Sequence, residues 1–125
     1  MYNRMHKIML IEDDETMLSL IRTLLEIEGF DVVTQDCMDD IDEILNVMGR
    51  ELPDMVLLDV HLRCFNGFDL LSLIHEDESL KNVRVLMSSG MELSYECGRQ
   101  GADGFILKPY MPDELIGKIR NTLGR

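Results

Sequence analysis

The sequence predicts a three-layer, doubly wound α/β fold in which one domain, residues 1–125, carries a parallel sheet between two layers of helices. A length of 125 residues suits one domain, and a hydrophobic content of 46% supplies a sizeable core. Short apolar runs of strand length alternate five times with segments of helical hydrophobic spacing. The connections are short, which favours crossover helices on both faces of one sheet.

The first half of the chain predicts three strands and two helices. Residues 7–11 form a continuous apolar run, as in a strand buried on both faces. The helix that follows has an apolar stripe and ends before Gly29, a residue suited to a helix C-terminus. Pro53 separates the second helix from the third strand, which ends at Asp59. The expected order is strand 7–11, helix 15–28, strand 31–35, helix 39–50 and strand 55–58.

The second half continues the alternation. Asn66-Gly67 turns the chain into a third helix, and glycines weaken the fourth one. Pro112 opens the last helix, where its fixed φ and missing N–H cost nothing. The expected order is a helix after residue 67, strand 83–87, a weak helix over 92–100, strand 104–107 and a helix over 112–123.

Charge and composition exclude several classes of protein. The formal net charge is −12, with 24 acidic and 12 basic residues, so direct nucleic-acid binding is not expected. No apolar run approaches the roughly 18 residues of a membrane span, and the N-terminus has no signal-peptide core, so we expect a cytoplasmic protein. Cys37, Cys64 and Cys97 form no CxxC pair, which favours reduced thiols over a disulfide framework or a zinc site.

Carboxylates follow two of the predicted strands. Glu12, Asp13 and Asp14 come directly after the first strand, and Asp59 ends the third. Ligands of open parallel sheets bind outside the carboxyl ends of the strands, so these acids share one pocket if the two strands are neighbours. The alternative for the first group is a solvated acidic start of a helix, which the helix dipole favours.

The chemistry of this group points to a hard cation and a phosphoryl group. Crowded carboxylates repel one another and require a cation, and all-oxygen ligands suit Mg²⁺. Lys108 ends the fifth strand and either holds an anion or forms a salt bridge with an acid. Ser88 and Ser89 offer a hydroxyl on the same rim. Together these groups are what phosphoryl transfer to a carboxylate needs.

The order and spacing of these motifs resemble the receiver domain of bacterial two-component response regulators, over essentially the whole chain from residue 7 to residue 123. The resemblance implies a flavodoxin-like fold with strand order 2-1-3-4-5. It also implies a phosphorylation switch whose output face is the fourth helix, fifth strand and fifth helix. The matching segments are Ile11-Glu12-Asp13-Asp14, Leu57-Leu58-Asp59, Asn66-Gly67-Phe68, Ser89-Gly90 and residues 101–109, which read GADGFILKP.

The resemblance implies roles for the acids. Asp59 is the expected phosphoacceptor, supplied by a sensor histidine kinase or a phosphotransfer protein. The implied cofactor is Mg²⁺, or Mn²⁺ in its place. Asp13 and Asp59 are its expected direct ligands, Glu12 binds it through water, and the backbone carbonyl of His61 completes the protein ligands.

The remaining implied roles concern the switch. Lys108 contacts a phosphoryl oxygen, Ser89 swings toward the phosphate, and Phe105 is the coupled aromatic. Ser88 remains an alternative to Ser89, because adjacent strand residues face opposite ways and only one of them faces the site. The side chains of His61 and Met91 are expected to tune the lifetime of the aspartyl phosphate, and Met91, which cannot orient a water, favours a long-lived state.

Other expectations follow from the resemblance and from one departure. Arg63 stands where the family often has proline, so the conformation of that loop is open. The expected partner beyond the kinase is a downstream protein target or effector domain, and phosphorylation could produce a homodimer. No catalysis is expected beyond the chain's own phosphoryl acceptance and loss. The alternatives are a phosphorylation-independent binding module of the same fold and a Mg²⁺-dependent phosphohydrolase. The latter needs a second acid where this chain has His61.

Overall fold

The structure, a computed structural model, describes residues 5–36 and 40–124. In these ranges five strands alternate with five α-helices, and one 3₁₀ turn at Glu78–Leu80 precedes the fourth strand. The strands are β1 (Lys7–Glu12), β2 (Asp31–Asp36), β3 (Met55–Asp59), β4 (Arg84–Ser89) and β5 (Gly104–Leu107). The helices are α1 (Glu15–Ile27), α2 (Ile41–Glu51), α3 (Gly67–Glu76), α4 (Ser94–Arg99) and α5 (Pro112–Leu123).

The strands form one parallel sheet in the order β2-β1-β3-β4-β5, which confirms the predicted fold class. The chain starts near the middle of the sheet and reverses direction between β2 and β3. β1 and β3 are therefore neighbours, with Ile11 beside Leu58. The carboxyl ends of these two central strands meet at the reversal point, where open α/β sheets bind their ligands.

Two apolar cores lie on opposite faces of the sheet. Alternate residues of each strand contribute to each core, because successive strand side chains point to opposite faces. One core packs against α2, α3 and α4, and the other packs against α1 and α5. Representative members of the first are Met9, Val56, Met87, Ile44 and Leu70, and of the second Leu10, Leu57, Leu86, Leu25 and Leu115.

Side chains cap the helices where the sequence changes its hydrophobic period. Asp14 caps α1, Asp40 caps α2 and Asn66 caps α3, each by accepting hydrogen bonds from backbone N–H groups of the first turn. Pro112 begins α5 as predicted. Gly29 follows α1 with φ +96°, a conformation in which a side chain would be strained.

Most element bounds differ from the predicted ones by one or two residues, and two of these differences have a clear physical reason. β4 extends to Ser89, so both serines belong to the strand, because hydrogen bonds from Val60 and Lys108 to the serine carbonyls continue the ladder. α2 begins at Ile41 rather than residue 39, since Asp40 is its cap. Residue 39 and Cys37 lie outside the described residues. α4 is short, as its glycines predicted.

Within the described ranges, no helix combines the length and the apolar character needed to cross a membrane.

Candidate functional site

The ends of three strands bring Lys108, Asp59 and Glu12 together. The ammonium Nζ of Lys108 donates to Oδ2 of Asp59 at 2.7 Å and lies 3.5 Å from Oε2 of Glu12. The side chains of the two acids are only 11% and 10% exposed, so the pair is largely withdrawn from water. Residues 12, 59 and 108 are far apart in sequence, and their meeting is the arrangement predicted from the strand ends.

Parallel pairing explains why these side chains converge. β3 pairs with both β1 and β4, and β4 pairs with β5, so the carboxyl ends of the central strands are aligned. The backbone N–H of Lys108 donates to the carbonyl of Ser89 at 2.8 Å, which extends the β4–β5 ladder to the lysine. Lys108 therefore leaves the sheet on the same rim as the acids.

Asp13 is paired with a different cation. The backbone N–H of Arg63 donates to Oδ2 of Asp13 at 2.9 Å, and Nε of the same arginine donates to that oxygen at 3.3 Å. Nη2 of Arg63 donates to the backbone carbonyl of Asp13 at 2.7 Å. The loop after β3 is thus fastened to the loop after β1. Sequence reasoning placed Arg63 in the loop but did not foresee this contact.

Electrostatics differ between the two neighbouring acids. Burial raises the pKa of the Glu12 carboxyl, and the charge of Lys108 offsets this only in part. Burial also acts to raise the pKa of Asp13, but hydrogen bonds with Arg63 and Glu12 and the charge of Arg63 together outweigh it, and the pKa lies below its ordinary value. Burial opposes the charged form of Lys108 as well, yet the hydrogen bond and charge of Asp59 leave its pKa raised. The pKa of Glu12 and that of Asp13 therefore shift in opposite directions, although the two residues are adjacent.

The loop after Asp59 is held close to the strand by Asn66 and Gly67. The N–H of Gly67 donates to the carbonyl of Val60 at 2.7 Å, and Asn66 pairs with His61 in an isolated antiparallel bridge. A Cβ on Gly67 would lie 2.3 Å from the backbone oxygen of Asp59, so no other residue fits here without a shift. The N–H of His61 donates to Oδ1 of Asp59 at 3.3 Å.

The two serines at the end of β4 face different layers. Ser88 is in register with Asp59 and lines the same small cavity as Asp59 and Glu12. Ser89, fully buried, lies on the other face, and its Oγ accepts a hydrogen bond from the N–H of Met91 at 3.0 Å. In this structure Ser88 is thus the hydroxyl on the face of Asp59, and the role of Ser89 as the switch residue stays a prediction.

Phe105 lies on the same face of the sheet as Ser89. It is partly buried against the core that includes α4, and its neighbour in register on β4 is Met87. Met91 is 60% exposed and His61 is exposed as well, so both side chains are open to solvent. The lifetime roles of these two residues stay predictions.

Tyr110 is a site residue that sequence reasoning missed. It lines the cavity shared by Glu12, Asp59 and Ser88. Burial raises the pKa of its hydroxyl, the charge of Lys108 opposes this, and the two carboxylates add to it. Its position two residues after Lys108 was the available signal, because it places the ring next to the strand end.

The oxygen atoms of these residues are suitable ligands for a hard divalent cation, on one condition. Carboxylate oxygens and a backbone carbonyl are the ligands Mg²⁺ takes, and it needs only one or two carboxylates besides water. Within residues 5–36 and 40–124, no three His, Cys, Asp or Glu side chains are arranged to hold a metal ion by themselves. Oδ2 of Asp13 is engaged by Arg63. The group fits Mg²⁺ through few protein ligands, provided that the guanidinium moves aside.

Comparisons with known proteins agree on one family. The family model described as "Response regulator receiver domain" matches residues 8–120. The chain is 35% identical over 122 residues to the transcriptional regulatory protein CpxR of Escherichia coli, a match that covers 97% of this chain and 50% of CpxR. The chain spans about half the length of the curated relatives it matches.

Solved structures show the same architecture. A putative response regulator from Chloroflexus aurantiacus superposes with a TM-score of 0.85 at 25% identity, covering 98% of this chain and 100% of that one. The receiver domain of DrrB activated by beryllofluoride superposes with a TM-score of 0.79 at 25% identity, again covering 98% and 100% of the two chains.

Proposed function

The chain belongs to the response regulator receiver family, and we propose on this premise that it is a signalling switch operated by phosphorylation of Asp59. The observation that supports the proposal most directly is the 2.7 Å contact between Nζ of Lys108 and Oδ2 of Asp59, with Glu12 beside it. A carboxylate at a strand end, held by an ammonium at the carboxyl edge of a parallel sheet, is arranged to receive an anionic group.

The transfer uses the carboxylate of Asp59 as the nucleophile. One of its oxygens attacks the phosphorus of a phosphohistidine on a donor protein, the P–N bond breaks, and the electron pair stays on the imidazole, which takes a proton. The ammonium of Lys108 neutralises part of the charge brought in by the phosphoryl oxygens. Because that ammonium already contacts Asp59, it needs little reorganisation to reach an oxygen of the new acyl phosphate.

Mg²⁺ bound at the acids would supply the further charge neutralisation that phosphoryl transfer requires. The residues proposed to hold it are Asp13 and Asp59 directly, Glu12 through water, and the backbone carbonyl of His61. Mn²⁺ fits the same oxygen donors.

The signal leaves the site through groups that gain new contacts only in the phosphorylated state. Ser89 turns its hydroxyl from Met91 toward the phosphoryl group, and Phe105, on the same face, carries the change to α4. A shift from 1:99 to 99:1 needs about 5.5 kcal/mol of differential stabilisation. Hydrogen bonds to charged groups contribute about 1.5–3 kcal/mol each, so about two to four are sufficient.

The partners follow from this reaction and from the relatives. The donor is a sensor histidine kinase or a phosphotransfer protein, and the receiver of the signal is a downstream target or an effector domain. CpxR is named a transcriptional regulatory protein, and this chain matches half of its length. An output through α4, β5 and α5, including a phosphorylation-induced homodimer, is part of the proposal. No turnover of an external substrate is proposed.

The test is covalent labelling with a small phosphodonor. Acetyl phosphate and Mg²⁺ should add the mass of one phosphoryl group to the wild type and none to Asp59→Asn. Asp113→Asn, which removes an exposed carboxylate from the first turn of α5, should label like the wild type. Beryllofluoride, the activator in the DrrB structure, should shift the NMR signals of residues around Ser89 and Phe105 in the wild type.

The same experiment separates the alternatives. A binding module independent of phosphorylation would take no label and show no beryllofluoride response. A phosphohydrolase would release phosphate from a phosphomonoester through many turnovers. Either result would refute the proposed switch.

A further inference from the structure

Arg63 contacts the acid that the proposed function assigns to the metal. Its backbone N–H and its Nε both donate to Oδ2 of Asp13, and its Nη2 donates to the Asp13 carbonyl at 2.7 Å. The side chain of Arg63 is 78% exposed, whereas that of Asp13 is 16% exposed. The guanidinium therefore covers the carboxylate from the solvent side, and it lines the open groove beside Glu12 and Asp13.

This contact is more constrained than an ordinary surface salt bridge. An exposed ion pair holds two mobile side chains and contributes little. Here the guanidinium binds the side chain and the backbone of one residue, while the backbone of Arg63 fixes the same carboxylate oxygen. The two loops are 50 residues apart in sequence, so the arginine also fastens the β3–α3 loop to the β1–α1 loop. The Arg63–Asp13 pair is thus stabilised by the geometry of its several hydrogen bonds as well as by opposite charge.

A divalent cation bound to Asp13 and this guanidinium both need the Asp13 carboxylate. The guanidinium supplies positive charge at Asp13 and uses lone pairs of Oδ2 that a metal would use. Lys108 does not neutralise Asp13, because its ammonium lies against Asp59 and Glu12 instead. Arg63 therefore neutralises Asp13, whereas Lys108 neutralises Asp59 and Glu12. The guanidinium of Arg63 lies on the solvent side of the rim.

We propose that the guanidinium of Arg63 is a built-in competitor for the divalent cation at Asp13, so that Mg²⁺ binds only when the side chain swings out into solvent. The inference rests on the metal assignment of the proposed function. It predicts weakened Mg²⁺ binding and a β3–α3 loop that is released from the β1–α1 loop when the metal enters. Metal occupancy and the position of the arginine are then mutually exclusive.

The test is the affinity for Mg²⁺ alone, measured by isothermal titration calorimetry. Arg63→Met removes the guanidinium and keeps the backbone hydrogen bond, and it should tighten Mg²⁺ binding about tenfold, which corresponds to about 1.4 kcal/mol. Arg63→Lys keeps the charge but loses the planar fork, so its affinity should fall between the two. Arg22→Met removes the same charge from an exposed pair on α1 and should change the affinity less than twofold.

A second readout follows the arginine itself. In the wild type, Mg²⁺ should move the NMR signal of Arg63 Nε–H to the position of a solvated arginine and leave that of Arg22 in place. Equal Mg²⁺ affinity of the wild type and Arg63→Met, or weaker binding by the variant, would overturn the competitor role. The proposed switch would survive that result if Asp13→Asn still abolished Mg²⁺ binding. Absence of Mg²⁺ binding in every protein would overturn both.

Discussion

Removing the ammonium of Lys108 should destabilise the fold, because two largely buried carboxylates lose their counter-ion. Nζ of Lys108 lies 2.7 Å from Asp59 and 3.5 Å from Glu12. Breaking a fully buried pair costs about 3–5 kcal/mol, and because the lysine side chain is 25% exposed we expect about 2–4 kcal/mol for Lys108→Met. Urea denaturation at pH 7 measures the difference in the free energy of unfolding.

A double-mutant cycle separates the ion pair from the loss of a side chain. Asp59→Asn should cost less than Lys108→Met, because Lys108 retains Glu12. In the double variant the effects should not add, with a coupling of about 1–2 kcal/mol. Lys118→Met, the same change on an exposed position of α5, should alter stability by less than about 0.5 kcal/mol. Additive effects in the cycle would refute the assigned interaction.

The pH dependence of the Lys108→Met effect follows from the raised pKa of the lysine. Burial opposes the charge, but the hydrogen bond and charge of Asp59 raise the folded-state pKa above the ordinary value of 10.5. The lysine therefore stabilises the fold fully below pH 10.5, and this contribution disappears as the pH rises through the folded-state pKa. The difference between wild type and variant should be constant from pH 7 to about 9 and shrink above 10.5, whereas a difference that grew in alkali would contradict the argument.

Three further predictions concern other parts of the fold. Gly67→Ala should lower the free energy of unfolding by about 1–3 kcal/mol in urea denaturation, because its Cβ would lie 2.3 Å from the backbone oxygen of Asp59. Gly117→Ala has open space in α5 and should raise the free energy of unfolding by about 0.5–1 kcal/mol. Leu52→Gly should raise the melting temperature, since Leu52 is held at φ 44° in the left-handed region, and a lower value would show that its side-chain contacts outweigh this strain. At pH 8 a thiol reagent should label exposed Cys64 quickly, and it should label buried Cys97 only on unfolding. Burial raises the pKa of the Cys97 thiol to about 11, so little reactive thiolate is present at this pH. Equal labelling rates for the two cysteines would disprove the burial of Cys97.

The element order was predictable because hydrophobic period is a local property of the sequence. The switch of period between residues 7–11 and residues 15–28 marks the first strand and helix, and Pro112 marks the start of the last. The strand order required the family resemblance, since periodicity does not say which strands pair. The approach of Lys108 to the acids was predicted from the element order and the strand order together.

Two features of the site could not be predicted from the sequence, for different reasons. Which of Ser88 and Ser89 lies on the face of Asp59 depends on register, because a shift of one residue exchanges the two faces, and the pairing of Ser88 with Asp59 places Ser88 there. The contact of Arg63 with Asp13 depends on the path of a loop, and nothing in the local sequence specifies a partner 50 positions away.

The hydrogen bond between Ser89 and Met91 makes the segment before α4 dependent on a single torsion angle. Oγ of Ser89 accepts from the Met91 amide, and rotation about the Cα–Cβ bond of the serine ends that acceptance. The amide would then need another acceptor, which the open loop over residues 90–93 finds in solvent. Rotation of one side chain in β4 can thus release the adjoining loop without breaking a hydrogen bond between strands.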